Sequence, residues 1–129
     1  MSNTVPHLPA LRLGRPYASL DHSEVKDHRT GEVRAVVSTV NGGIVKRDLA
    51  RIGAAREALS RFTVAQLIEL SAKAGELFLN GTLPLGDRGH TQSADEYVAT
   101  LSATSGLPHN MVRRNMVKIH AALTQLKTV

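Results

Sequence analysis

The apolar pattern of this chain changes period at Asn41-Gly42-Gly43 and shows no return to strand spacing afterwards. Before the break, Val33, Ala35, Val37 and Thr39 alternate with Val36 and Val40, the two-residue period of a strand. After it, apolar residues recur at helical spacing to the C-terminus, with no further β-branched run suited to a central strand. Amphipathic helices must bury their apolar stripes against another layer, and a doubly wound parallel sheet is one that helices commonly cover. The sequence supplies helices in number and no such sheet. They must therefore pack on one another or on polypeptide outside this chain.

Residues 1–10 hold two prolines and no periodicity, and read as a flexible leader. Residues 11–129 read as one partial domain, with a β-hairpin region over 11–40 and a helical region over 44–126. Ser23 to Asp27 meets Val33 to Val40 across Arg29-Thr30-Gly31-Glu32, where Gly31 supplies the positive φ of a tight turn. The stripe Val45, Leu49, Ile52, Ala55, Leu59 and Phe62 predicts one helix from about Ile44 to Arg61. Thr63 stands three residues before Gln66, a capping box for a second helix with Val64, Leu67, Ile68, Ser71, Ala74 and Phe78 inward; Asn80-Gly81 would close it with a left-handed cap. Thr82 to Gln92 reads as a loop. Ser93 and Glu96 form another capping box for a helix from Ala94 to about Ser105, which Gly106 stops. Pro108 falls in the first turn of a last helix, with Val112, Asn115, Ile119, Leu123 and Leu126 along one side. The fold class is thus α+β, an N-terminal β-hairpin followed by about four α-helices.

Aromatic residues are 3% of the 129 and Trp is absent, so the core has to come from Leu, Ile, Val, Ala and Met. That is thin for a self-sufficient domain. With no cysteine, a disulfide framework, a thiolate zinc site and a cysteine nucleophile are all excluded within the chain. The densest apolar region is interrupted by Glu69, Lys73 and Glu76, short of the roughly 20 apolar residues that cross a bilayer. The N-terminus has neither the charged nor the apolar region of a secretory signal. The expectation is a cytoplasmic protein with no membrane partner.

Few residues announce chemistry. His22 and His28 lie six apart and His109 and His120 eleven apart, neither a common ligand spacing, while His7 and His90 fall in predicted loops without nearby partners. Ser, His and Asp are present, but no glycine-flanked serine elbow is. Gly42-Gly43 precedes a helix, as in phosphate cradles, yet Ile44-Val45-Lys46-Arg47 lacks the Lys-Ser/Thr pair of a Walker loop. No catalytic, cofactor-binding or metal-ligating residue is assigned. The net charge of +5 gives one nucleic-acid reading some force. Ala99 to Ile119 is similar to a helix-turn-helix, with Asn110, Arg113, Arg114, Asn115 and Lys118 on the second helix as candidates for base edges and phosphates. Two helices joined through Gly are also among the commonest all-α connections.

Read in order, Gly14-Arg15-Pro16-Tyr17, Val25-Lys26-Asp27, Thr30-Gly31-Glu32 and the valine strand resemble the N-terminal opening of the aldehyde dehydrogenase superfamily. The resemblance runs on through Ala54-Ala55, Glu76-Leu77 and Thr104-Ser105-Gly106-Leu107-Pro108, covering about Leu13 to Leu123. Thr104 and Leu107 depart from the family's usual acid and lysine, and the Asn80 to Gln92 segment is peculiar, pointing to a divergent branch similar to acyl-CoA reductases. The resemblance implies part of a larger α/β doubly wound fold whose parent uses NAD(P). In that family the hairpin serves subunit assembly and the helices cover the nucleotide-binding sheet. The family's cofactor turn, oxyanion asparagine, general-base glutamate and nucleophilic cysteine have no counterpart here, so the chain is not expected to catalyse alone. The partners implied are the remainder of a dehydrogenase fold or a homo-oligomer.

Overall fold

The computed structural model describes residues 5–128. Four residues of the expected leader, 1–4, lie outside them. The rest is ordered otherwise than expected, because β1 (His7–Leu8) pairs in parallel with β5 (Val33–Ser38), placing His7 opposite Val36. Next, β2 (Ala10–Arg12) and β3 (Arg15–Tyr17) form a two-stranded ribbon whose turn, Leu13-Gly14, has positive φ at both residues, as a type I′ turn requires. The expected hairpin is present: β4 (His22–Lys26) runs antiparallel to β5, with a bulge at Val25/Lys26, completing a sheet of order β1-β5-β4. Gly31 turns it with φ +73°. Asp27 holds the turn from inside, accepting the N–H groups of Arg29 (3.0 Å) and Thr30 (3.4 Å) and the Arg34 guanidinium (3.0 Å).

Five α-helices follow where about four were expected. The stripe from Val45 to Phe62 is divided into α1 (Gly42–Leu49) and α2 (Ile52–Leu59). Arg51 leaves helical geometry between them, no side chain caps α2, and Gly53 in its first turn adds little helix propensity. Helix α3 (Val64–Asn80) opens with the predicted Thr63/Gln66 capping box. The left-handed cap expected at its end is absent: Gly81 is extended, and a Cβ there would approach the Leu77 carbonyl oxygen to 2.6 Å. The chain passes directly into β6 (Thr82–Leu85), which pairs with β7 (His90–Ser93), so the segment read as a loop is a hairpin. Pro84, Gly86, Gly89 and a polar β7 concealed it, since the apolar alternation is limited to Leu83 and Leu85 of the four-residue β6. Helix α4 (Ala94–Ser105) has its Ser93/Glu96 capping box, and left-handed Gly106 ends it. Helix α5 (His109–Thr124) starts one residue after Pro108, which stands at its N-cap.

The apolar core lies among α3, α4 and α5. Val98, Val112 and Met116 are its buried members, surrounded by Phe78, Leu79, Tyr97, Leu101 and Leu107. Phe78 and Tyr97 meet edge to face at 5.5 Å. Helix α5 approaches α3 at buried Gly75, whose missing Cβ would lie 3.1 Å from the Leu123 Cβ. The inward side of α5 is thus Val112, Met116 and Leu123, while Asn115 and Ile119, expected inside, are exposed. On α3 the expected Leu67, Ile68, Ser71 and Phe78 lie on the partly covered side together with Ala72, buried Gly75 and Leu79, while Ala74 faces outward and Val64, on the same side as Gly75 but in the first turn, is exposed. Neither α1 nor α2 buries a single residue.

Candidate functional site

Strand β1 carries a polar side chain into the interior. His7 is 4% exposed and stands between two partners: its Nδ1 is 2.8 Å from Asp87 Oδ2, and its Nε2 is 2.9 Å from Ser38 Oγ. Ser38 Oγ also accepts the Ser19 N–H at 3.0 Å, and the His22 ring meets His7 edge-on at 5.4 Å. His7 therefore has partners, contrary to its reading as an isolated loop residue; they come from positions 31 and 80 residues away, which local sequence does not reveal. Asp–His–Ser is the connectivity of a hydrolytic triad. The geometry argues against that use, because Ser38 sits on a strand, is 6% exposed, and has its oxygen engaged by both His7 and the Ser19 N–H. The relay satisfies buried polar groups and ties β1, β5 and the tip of the β6–β7 hairpin together.

Acid should loosen these ties. The hydrogen bond from His7 holds the Asp87 carboxyl below the ordinary aspartate value of 3.8, and the Arg29 N–H, followed by Arg34, does the same for Asp27. A carboxyl with a lowered folded-state pKa contributes stability above its unfolded value, and that contribution is lost as pH falls through the folded one. Unfolding followed by circular dichroism from about pH 4 down to about pH 2 is expected to show falling stability, and Asp27→Asn a shallower fall. An identical acid limb in the variant would mean that Asp27 is not held as described.

The remaining histidines do not converge. His28 Nδ1 lies 2.6 Å from the Ala103 carbonyl oxygen, tying the β4–β5 turn to α4, and His120 Nε2 lies 2.7 Å from Glu76. His90 Nε2 is buried without a hydrogen-bond partner. Among the described residues no group of three or more His, Asp or Glu is placed to hold a metal ion. No described helix is long and apolar enough to cross a membrane. At the strand–glycine–helix junction the N-terminus of α1 is already capped, since Asn41 Oδ1 accepts the Ile44 N–H at 3.0 Å.

The nucleic-acid candidates all stand on α5 and are all exposed. Asn110, Arg114 and Lys118 follow one another at four-residue intervals, on one face. Arg113 is drawn into an ion pair with Asp95 at 2.9 Å, and Asn115 lies farther around the helix. Exposed Met111, Val117 and Ile119 interrupt the basic surface, leaving it partly apolar.

A second exposed apolar surface lies on α1 and α2. Leu49 is 57% exposed, Ile52 49%, Leu59 56% and Phe62 48%. Leu11, Leu13 and Val40 beside them are also exposed. Arg12 joins the β2–β3 ribbon to α1 through a bidentate pair with Asp48, both contacts at 2.7 Å, and lies 4.7 Å over the Tyr17 ring. This pair separates an apolar cleft, lined by Leu11, Ile44, Leu49 and Ile52, from a more polar one. Compared with known proteins, the chain matches no family model, no curated protein and no solved structure.

Proposed function

We propose that this chain is the N-terminal structural segment of a cytoplasmic NAD(P)-dependent aldehyde dehydrogenase or acyl-CoA reductase-like oxidoreductase, not catalytic on its own. Its helices would cover the nucleotide-binding sheet, and the parent reaction would proceed through a cysteine adduct that this chain does not supply. One observation carries the reading: α1 and α2 present Val45, Leu49, Ile52 and Leu59 at helical spacing and bury none of them. A helical apolar stripe left about half exposed along its length is a face suited to meeting another layer. At roughly 25 cal/mol per Å², several hundred Å² of missing contact is on the order of 10 kcal/mol, comparable to a whole domain's stability.

The expected behaviour of the purified chain is helical circular dichroism with a broad melt, binding of a hydrophobic dye, and elution larger than a monomer. Replacing Leu49, Ile52 and Phe62 together with Lys should leave the far-ultraviolet spectrum unchanged and reduce both dye binding and apparent size. A compact wild-type monomer with a sharp transition and no dye binding would defeat the proposal. It would favour the second reading, a stand-alone helix-turn-helix protein, which the alignment of exposed Asn110, Arg114 and Lys118 supports. The leading proposal also requires a polypeptide bearing the nucleophilic cysteine to be encoded with this chain, and a complete locus without one removes it.

A further inference from the structure

We propose that the more polar cleft, between the β2–β3 ribbon and α1–α2, binds a dianionic small molecule with an apolar body: a phosphate monoester on a short hydrocarbon or aromatic group. The cleft has a volume of about 690 Å³, within the range of small-molecule sites. Three arginines line it, Arg12 and Arg15 from the ribbon and Arg51 from the α1–α2 junction, against the single carboxylate of Asp48. Both Asp48 oxygens are taken by Arg12, so that charge is spent within the protein. Arg15 and Arg51 have neither an ion pair nor a hydrogen bond from their side chains among the described residues; Arg51 meets Asp48 only through longer-range attraction, and three arginines against one carboxylate leave the cavity wall net positive.

The rest of the wall is suited to a hydrocarbon. Ala54, Ala55 and Ala58 leave room along α2, and Tyr17 and Pro16 close the ribbon side. Leu13 holds φ +48°, a conformation costly for a branched residue, and lines this cleft. Two guanidinium groups, each able to give paired hydrogen bonds to phosphate oxygens, match a dianion better than a single carboxylate. The adjoining apolar cleft shares Arg12, Leu13, Asp48 and Ala55 with this one but lacks Arg15 and Arg51, and none of Val45, Leu49, Ile52 and Leu59 lines the polar cleft.

The test is a titration of the 129-residue chain with phenyl phosphate, read by ligand-observed NMR, with phenol, benzoate and inorganic phosphate in parallel. Phenyl phosphate is expected to saturate in the millimolar range or below, and each of the other three to bind at least about tenfold more weakly. The double variant R15Q/R51Q should lose at least about tenfold in affinity, R15K/R51K should keep most of it, and R114Q/K118Q, on α5, should match the wild type. Circular dichroism of each variant checks that the helices persist. Absence of saturable binding up to about 10 mM would overturn the proposal. So would equal losses in R15Q/R51Q and R114Q/K118Q, which mark general charge attraction, or equal binding of phenol, which marks adhesion to exposed apolar surface.

Discussion

Gly86→Ala is expected to detach the N-terminal strand. Gly86 has φ +70°, and a Cβ built on it would stand 2.0 Å from the His7 carbonyl oxygen and 2.9 Å from its carbon. The left-handed conformation costs an alanine about 1–2 kcal/mol, and the collision with backbone is relieved only by moving the hairpin tip away from β1. That movement would break the Asp87 N–H bond to the His7 carbonyl (3.1 Å) and the Asp87–His7 side-chain pair (2.8 Å). Amide hydrogen exchange reads it locally. The Val36 N–H, bonded to the Pro6 carbonyl, and the Asp87 N–H should lose about a hundredfold in protection while α5 keeps its own. Gly89 lies in the same turn at φ +75° with nothing within 4 Å of its added Cβ. Gly89→Ala should cost only that conformational term, about 1–2 kcal/mol, and equal losses in the two variants would show that His7 does not close against Gly86.

The second large effect concerns α5. Met116→Ala should destabilise the α3–α4–α5 core by about 2–5 kcal/mol, because a 3% exposed side chain beside Val98 and Val112 leaves a cavity. Exchange in α4 and α5 should accelerate by roughly thirtyfold or more. Ile119→Ala, at a 44% exposed position, should fall within about 0.5 kcal/mol of wild type. The reverse ranking would mean that the stripe through Asn115 and Ile119 is the buried one and that α5 presents that side to α3 and α4.

Much of the helical half was legible because its signals are local. The Thr63/Gln66 and Ser93/Glu96 boxes and the Gly106 stop each act within one helical turn, and each does what its residue types predict. The β4–β5 hairpin was legible for a similar reason, with alternating valines about a glycine able to take positive φ. The β6–β7 hairpin was not, since its strands are held by ladder hydrogen bonds and by the docking of its tip on β1, with only Leu83 and Leu85 alternating about Pro84 to announce them. The division of α1 from α2 and the rotation of the α5 stripe were also missed. A stripe of apolar residues does not distinguish a face that is buried from one that is left open.

The candidate sites divide in the same way. Local sequence placed the exposed α5 residues on a helix after a glycine turn, and the structure adds that Asp95 neutralises Arg113. It gave no sign of His7–Asp87–Ser38, whose members are 31 and 80 residues apart, nor of the cleft where the ribbon brings Arg15 toward Arg51. By itself the sequence determined the helix N-terminal caps at Thr63 and Ser93, the Gly106 stop and the Gly31 turn, because these rest on hydrogen bonds and steric preferences spanning a few residues. Only the tertiary structure decided which side of each helix is covered, which polar groups meet, and that α1 and α2 stand open, because those depend on how close distant segments can come.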